Sequence, residues 1–222
     1  MAEKQPEITM RPMILTSHQP DFLPYSGFFY KLDKADVFDI ALYDQFTRSG
    51  YQRRVKMDDK WIGVAVSDKY DRSPIWQVQY DINSIQGVLD RIYEVYHKEP
   101  YYHRYVGGIM HTLVAGEGSL FKLNVELISL LCDMLGISVQ FGTAHPLHKA
   151  KGHGILEMME HYDFITYLSG QGAKEYIGDE FEKAGKQIIW SKHDPITGNS
   201  VLELLFRYGD EAINYVRREH DE

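Results

Sequence analysis

Short runs of β-forming residues alternate with helical patterns along the chain, and this alternation restricts the fold more than any other feature. The strand-like runs are residues 13–17, 36–43, 61–66, 137–141, 164–168 and 187–190. A period-two pattern at 75–82 predicts an edge strand, and residues 51–57 are expected to be extended. Because strands that alternate with helices pack as helix layers on a sheet, the sequence predicts an α/β protein. Its sheet is expected to be mixed or mainly parallel and flanked by helices.

The middle of the chain is predicted to be a helical segment. Its clearest helix runs from Ser119 to Leu135, because serine is a favourable N-cap and leucines recur every three or four residues. Gly136 directly after it can adopt the left-handed conformation that ends helices. The other predicted helices are residues 25–34, 83 or 84 to 98, 101–115, 154–161, a helix opening at 173–176, and a final amphipathic helix at 201–217.

Length, charge and cysteine usage exclude several classes of protein. Residues 1–12 carry charges without an apolar core, so we expect a disordered extension, and residues 13–222 are predicted to form one domain. No run approaches the ~20 apolar residues that cross a bilayer. The single cysteine, Cys132, excludes an internal disulfide and favours a buried apolar role in a cytoplasmic protein. The net charge of −8 argues against non-specific coating of nucleic acid and leaves a local basic site open. The oligomeric state stays open.

A polar loop follows the first predicted strand. It contains His18, Gln19, Asp21 and Tyr25, and two prolines restrict its backbone. Ligands of α/β proteins bind at the carboxyl ends of strands, so this loop is a candidate site. His18 could act as a general base or donate a hydrogen bond to phosphate. The alternative is that the loop only caps a neighbouring helix.

A basic run at 48–56 contains four cations and no carboxylate. A guanidinium group can donate two parallel hydrogen bonds to one phosphate group, and Tyr51 could stack on a ring of a ligand. In an extended segment Arg53 lies on one face, and Arg54 and Lys56 lie near the opposite one. The cations therefore cannot all share one pocket without a bend. The alternative is an ordinary solvated surface.

Two further features could contribute to a site. The turn at 169–172 (Ser-Gly-Gln-Gly) follows an apolar run and precedes a predicted helix, so its backbone could approach an anion closely. The pattern is shorter than nucleotide-binding fingerprints, and such turns also occur for structural reasons. Asn124 lies on the buried side of its helix and must find partners, either in a neighbouring loop or in a pocket.

Histidines and carboxylates do not form a recognisable metal motif. His145, His148 and His153 lie near Asp163 in the sequence, but their spacing fits no standard zinc pattern. We therefore predict no metal and no cofactor.

Taken in order, these segments resemble the WbqC-like protein family from about Leu15 to Gly209. The matching pieces are HQPDFLPYSGFF, KADVF, YQRRVK, WIGVAV, LFKLNVELISLLCDMLGI, YLSGQGAKEYI, FEKAG and SVLELLFRYG. Each matching piece alone is weak evidence for the family, and the complete set in this order is specific to it. The family often has Trp where Tyr25 and Tyr51 stand, and usually Asn where Arg53 stands. The extra arginine adds a cation to the predicted site.

The resemblance implies a transferase that joins an amine to a phosphate-activated acceptor. Family members occur in bacterial surface-polysaccharide gene clusters, where the implied reaction attaches amino acids such as glycine to sugars. Related bacteriophage proteins occur among enzymes that hypermodify thymine in DNA, where an amine would displace pyrophosphate from an activated 5-methyl group on uracil. The DFLPY and YQRRVK variants favour the acceptor in DNA. A sugar acceptor, a non-catalytic phosphate-binding subunit and nucleic-acid recognition without chemistry remain the alternatives.

The resemblance also implies roles for individual residues. His18, oriented by Asp21, would deprotonate the incoming ammonium group, and Arg54 and Lys56, joined by Arg53, would neutralise the departing pyrophosphate. A base in DNA would have to leave the helical stack to reach a recessed site. The remaining candidates would bind the amine or the acceptor: Gln19, Tyr25, Asp44, Tyr51, Gln52, Asn124, Ser169, Gly170, Gln171, Gly172, Lys174 and Tyr176.

Overall fold

The computed structural model describes residues 13–143, 151–175 and 177–220. The predictions for residues 1–12, for His145 and His148 and for Tyr176 fall outside these ranges. The described strands are β1 (Ile14–His18), β2 (Val37–Ile40), β3 (Arg54–Met57), β4 (Lys60–Gly63), β5 (Ala65–Val66), β6 (Tyr80–Asp81), β7 (Gln140–Gly142), β8 (Thr166–Ser169) and β9 (Gln187–Trp190). The described helices are α1 (Ser26–Lys34), α2 (Ile85–Tyr96), α3 (Tyr102–Ala115), α4 (Leu120–Leu135), α5 (Lys151–His161), α6 (Glu180–Lys183), α7 (Leu202–Tyr208) and α8 (Ala212–Val216).

A five-stranded parallel sheet lies at the centre, in the order β7-β2-β1-β8-β9. Numbered by their sequence within this sheet, the strands run 3-2-1-4-5, which is the order of doubly wound α/β proteins. The direction of winding reverses between β1 and β8. Loops that leave the carboxyl ends of these two strands therefore diverge, and a crevice opens between them. The predicted α/β class is confirmed, and this sheet is wholly parallel.

Two apolar clusters cover the sheet. The larger joins α1 and the helical middle, through residues such as Phe28 and Leu127, to Phe38 of β2. The smaller cluster contains Leu15 of β1, Met159 of α5 and residues in and near α6. Because neighbouring positions of a strand face opposite sides, the two clusters mark the two faces of one sheet. None of the described helices is long and apolar enough to cross a membrane.

The helical middle matches its prediction. Ser119 Oγ accepts a hydrogen bond from the Lys122 N–H, and Gly136 ends α4 with a φ of +68°. The leucines of the predicted stripe are all buried. Cys132 is also buried, and burial raises the pKa of its thiol to about 12, so its predicted apolar role is confirmed.

The predicted strand at 61–66 is wrong in its extent. It divides into β4, which pairs antiparallel with β3, and β5, which pairs with β6, and neither joins the central sheet. The division falls at Val64, directly after Gly63, where an added Cβ would lie 2.0 Å from the carbonyl oxygen of Arg53. The edge strand at 75–82 is also shorter than predicted, because residues 75–77 form a 3-10 turn and the strand itself spans residues 80–81.

Two helix predictions need correction. The final helix at 201–217 is interrupted at Gly209, whose φ of +57° stops α7 before α8 begins. An added Cβ at Gly209 would also lie 2.7 Å from the ring of Tyr101. Residues 171–175 form a 3-10 turn, so the described part of the helix opening predicted at 173–176 is not an α-helix. Other predicted elements differ from the observed ones by a few residues at their ends.

Candidate active site

A cavity of about 560 Å3 lies at the carboxyl ends of β1 and β8, where the winding of the sheet reverses. This volume is within the range of small-molecule sites. The wall is built from three places: the end of β1 with the start of α1, the turn after β8, and the segment after β9. The lining includes His18, Tyr25, Gly27, Lys31, the turn at 169–172 and His193.

His18 is held with one ring nitrogen occupied. Its Nδ1 lies 2.9 Å from the carbonyl oxygen of Gln19, and since a carbonyl only accepts, Nδ1 carries the proton. Asp21 Oδ2 lies 3.5 Å from the same nitrogen. Nε2 is therefore the unprotonated nitrogen, and it has no hydrogen-bond partner among the described residues. Burial, and secondly the charge of Lys31, lower the pKa of His18, so its imidazole is a neutral proton acceptor at pH 7.

Two buried charges lie beside His18. Burial raises the pKa of Asp21 to about 7, and the charge of Lys31 acts in the opposite direction. Burial lowers the pKa of Lys31 to about 8, against the charge of Asp21. Only 7% of Lys31 is exposed, and its ammonium group has no hydrogen bond or ion pair within the described residues. The cavity therefore contains a cation that the protein itself leaves without a close partner.

Tyr25 and Gly27 shape the start of α1. Tyr25 occupies the N-cap position, and no side chain caps the first turn. An added Cβ at Gly27 would lie 2.5 Å from the Tyr25 hydroxyl oxygen, so only glycine leaves room for this phenol. Burial, followed by the charges of Asp21 and Tyr51, raises the pKa of Tyr25. Tyr25 thus lies between the cavity and the segment that leads into β3.

The turn after β8 closes the cavity on its other side. Gly170 and Gly172 have open space where a Cβ would stand, so backbone forms this part of the wall. The side chain of Gln171 donates to the carbonyl oxygen of Ser191, which ties the turn to the segment after β9. Ser169 is buried, and its hydroxyl lies 3.4 Å from the Gly170 carbonyl oxygen.

His193 differs from His18 because both of its ring nitrogens are occupied. Its Nδ1 lies 3.1 Å from the carbonyl oxygen of Arg218 and must donate to it, so Nε2 accepts from the Ser26 hydroxyl at 2.8 Å. The ring also stacks on Tyr30. His193 is therefore held as a wall of the cavity, and His18 is the histidine with a lone pair available.

The basic run forms the outer face of a hairpin. In β3, Val55 and Met57 are buried, and Arg54 and Lys56 point outward. The Arg54 guanidinium carbon lies 4.3 Å from the ring centroid of Trp61, and the Lys56 nitrogen lies 5.7 Å from it. Tyr51 packs against the same ring at 5.4 Å. We call these four residues, Tyr51, Arg54, Lys56 and Trp61, the basic aromatic surface.

Arg53 lies apart from this surface. Its Nε donates to the carbonyl oxygen of Arg48 at 2.7 Å, and its Nη1 donates to that of Val64 at 3.2 Å. Burial, followed by the charges of Arg54 and Arg48, lowers the pKa of Arg53. The cations consequently do not share one pocket, as the alternation along an extended segment predicted. Arg53 connects the hairpin to its neighbouring turn, and Arg54 also donates to that turn through the carbonyl oxygen of Ser49.

Asn124 connects the cavity loop with the hairpin. Its amide nitrogen donates to the carbonyl oxygens of Pro20 and Gln52, both at 2.7 Å. The Phe22 N–H adds a bond of 2.9 Å to the carbonyl oxygen of Tyr51. Asn124 therefore bonds neighbouring loops, which is the first of its two predicted alternatives.

Two side-chain amides and a carboxylate form further hydrogen bonds between the cavity loop and the hairpin. The Gln52 amide nitrogen donates to the Gln19 side-chain oxygen, and the Gln19 nitrogen donates to Asp44 Oδ2 at 3.1 Å. These three residues were predicted to bind substrate, and the structure places them in contacts between the two regions. Lys174 is likewise outside the cavity wall, with its nitrogen 5.3 Å from the Trp190 ring centroid.

The sequence analysis missed Lys31 and Gly27. Both line the cavity, and they are four residues apart on one face of α1. A lysine inside the apolar run at 28–32 (Phe-Phe-Tyr-Lys-Leu) was the available signal, because charged residues are rarely buried without a reason. Within the described ranges no group of three or more histidine, cysteine or carboxylate side chains is arranged to hold a metal ion.

The fold and the cavity together define a doubly wound α/β protein with a polar ligand site at the switch point of its sheet. The chain belongs to the WbqC-like protein family, whose model matches residues 19–215. It is similar to the uncharacterized protein Rv1507c of Mycobacterium tuberculosis, with 23% identity over 220 residues that cover 90% of this chain and 95% of that protein. No solved structure matches the chain significantly. The family expected from the ordered motifs is confirmed.

Proposed function

We propose that the protein is a transferase that forms a C–N bond between the amine of a small amino acid, such as glycine, and a phosphate-activated acceptor. The observation that carries this proposal is the position of His18. Its Nδ1 is bound to a backbone carbonyl, and its unprotonated Nε2 has no partner within the described residues in a cavity of ligand size. A neutral imidazole is in the protonation state that a general base requires, and its lowered pKa makes it a weaker proton acceptor than a free imidazole.

In the proposed reaction, His18 Nε2 first takes a proton from the ammonium group and leaves a free amine. The amine nitrogen then attacks the methylene carbon of the acceptor. The C–N bond forms as the C–O bond to pyrophosphate breaks, and pyrophosphate leaves with the electron pair of that bond. The product nitrogen keeps both of its remaining protons and is a secondary ammonium group. Asp21 lies 3.5 Å from His18 Nδ1 and stabilises the charged imidazole.

The basic aromatic surface supports a nucleic-acid acceptor. Tyr51 is 53% exposed and Trp61 is 42% exposed, and two cations stand over the Trp61 ring. Exposed rings beside cations are the usual means of binding a nucleotide through stacking and phosphate contacts. We therefore favour pyrophosphorylated 5-hydroxymethyluracil in DNA, with the base turned out of the stack. Arg54 and Lys56 would neutralise the leaving pyrophosphate. Such a reaction would take place in the cytoplasm of a bacterium or an infected host.

The test is a transfer assay with purified protein, isotope-labelled glycine and two acceptors. One is DNA that bears pyrophosphorylated 5-hydroxymethyluracil, and the other is a nucleotide-linked uronic acid sugar supplied with an activating nucleotide. The matched control is DNA with unphosphorylated 5-hydroxymethyluracil, which lacks the leaving group. Mass spectrometry is expected to find glycine on the activated DNA, with release of pyrophosphate.

Other outcomes of this assay contradict the proposal to different extents. Glycine on the sugar would contradict the DNA acceptor and retain the reaction class. Glycine on unphosphorylated DNA would contradict the role of the leaving group. No transfer to either acceptor, together with binding of pyrophosphate, would favour a non-catalytic phosphate-binding subunit.

A further inference from the structure

Lys31 lines the cavity and has no role in the reaction proposed above. It follows Gly27 by one helical turn, and both residues line the cavity. Side chains of a helix lean toward its N-terminus, so Lys31 extends toward the first turn of α1, where the Tyr25 phenol fills the space over Gly27. The Lys31 ammonium group therefore faces the cavity at the uncapped first turn of α1.

Burial of the Lys31 ammonium group costs free energy of folding, and no contact within the described residues offsets this cost. Its side chain is 93% buried, since its exposed fraction is 7%, and it has no ion pair or hydrogen bond within the described residues. Burial of a charge without a partner is strongly unfavourable. The nearest influence of opposite sign is Asp21, whose pKa of about 7 leaves it only partly ionised at neutral pH. A ligand with a negative charge would complete this site.

Three further groups surround the cavity and bear on the charge of that ligand. His18 and His193 both have lowered pKa values and are neutral at pH 7, and the Tyr25 phenol has a raised pKa and is neutral too. Lys31 is thus the single cation in the described wall of the cavity. The uncapped N–H groups of α1 add a partial positive charge.

We propose that Lys31 and the first turn of α1 bind the carboxylate of the amino acid substrate, and so hold its amine beside His18. This inference rests on the proposed function for the identity of the ligand. One cation suits the single charge of a carboxylate. The leaving pyrophosphate carries several charges, and the basic aromatic surface offers two cations for it. A carboxylate and a phosphate could both bind here by the same chemistry, so the experiment must separate them.

The experiment measures binding by calorimetry at pH 7, without any acceptor. The ligands are glycine, glycinamide and inorganic pyrophosphate, and the proteins are the natural chain, Lys31→Met and Lys34→Met. Lys34 is a matched control because it lies on the same helix, is partly exposed, and pairs with Glu219 at 2.9 Å outside the cavity. Glycinamide retains the amine and lacks the carboxylate.

We expect Lys31→Met to weaken the binding of glycine by roughly 10-fold to 100-fold, the effect of losing one charged hydrogen bond. Lys34→Met should bind glycine as the natural chain does. Glycinamide should bind weakly and equally to all three proteins. The melting temperature of Lys31→Met should not fall, because methionine fills similar space and removes a buried charge. A purely structural lysine would lose stability instead. Lys31→Gln serves as a second variant with the same expected loss of binding.

Several outcomes would overturn the carboxylate site. Equal glycine binding by Lys31→Met and the natural chain would do so, as would the absence of glycine binding to the natural chain. If the binding of pyrophosphate depended on Lys31 and the binding of glycine did not, the subsite would be assigned to phosphate. The transfer assay keeps this question apart from the proposed function. Glycine binding that requires Lys31, with no transfer to any acceptor, would retain the subsite and refute the reaction. Transfer with an unchanged KM for glycine in Lys31→Met would retain the reaction and refute the subsite.

Discussion

The cavity and the basic aromatic surface differ in how far their charged groups are exposed to solvent. In the cavity, Asp21 and Lys31 are each more than nine-tenths buried, and burial moves their pKa values toward the neutral forms. On the hairpin, Arg54 and Lys56 lie over an exposed tryptophan and remain within reach of solvent. Burial adjusts proton affinity, as acid–base chemistry requires, and exposure keeps a full charge available for recognition. We infer that chemistry belongs to the first region and acceptor binding to the second.

The largest expected effect separates the two regions directly. Replacement of His18 by glutamine should lower turnover by about 100-fold to 10,000-fold, because the amine loses its proton acceptor. Binding of the acceptor DNA should not change, since the basic aromatic surface is intact. Turnover from the transfer assay and DNA affinity from fluorescence anisotropy check this. His111→Gln, on the exposed side of α3, is the control. Full turnover by His18→Gln would refute the general-base role.

The next effect concerns the link between the regions. Asn124→Leu removes two buried hydrogen bonds and leaves the carbonyl oxygens of Pro20 and Gln52 without their donor. We expect the free energy of unfolding in urea to fall by about 3 kcal/mol. Binding of glycine and binding of DNA should both weaken. Glu126→Ala, on the exposed face of α4, should change neither. An unaltered unfolding free energy for Asn124→Leu would show that the two regions are held together by other contacts.

A smaller effect sharpens the role of the hairpin. Arg54→Ala should lower turnover by roughly 30-fold, about 2 kcal/mol, because one charge that stabilises the leaving pyrophosphate is lost. Glycine affinity should stay constant, and the fold should be intact by circular dichroism. The exposed ion-pair variant Arg104→Ala serves as the control. Loss of glycine affinity in Arg54→Ala would mean that the two regions do not divide the substrates as proposed.

The smallest expected effect is on stability against pH. The folded pKa of Asp21, about 7, exceeds its ordinary value of 3.8, so the folded state binds this proton more tightly than the unfolded state. Stability from this group is present below pH 4 and decreases as the pH rises to about 7. Asp21→Asn should remove this dependence, so its stability relative to the natural chain should rise between pH 4 and pH 8. Urea unfolding at pH 4, 6 and 8 measures it. An identical pH profile in both proteins would contradict the burial of an ionised Asp21.

Prediction from sequence succeeded where short-range patterns decide the outcome. The N-cap and the glycine end of α4 are features of adjacent residues, and β9 matches its predicted range of 187–190. His18 and the turn at 169–172 were found because polar residues after strands of an α/β protein tend to meet at one edge. The region at 61–66 was not predicted correctly, because its two halves pair with different antiparallel partners. An apolar pattern does not show which strands pair.

The sequence by itself determined the family, the α/β class and the residue types available at the site, since these depend on local composition and on the order of motifs. Tertiary structure alone decided which residues meet. Asn124 finds its partners 104 and 72 positions away, and Lys31 becomes a cavity cation only because the packed helix and sheet exclude water around it. Burial and long-range hydrogen bonds depend on the whole packed chain, and those two properties set the pKa values and the charge of the cavity.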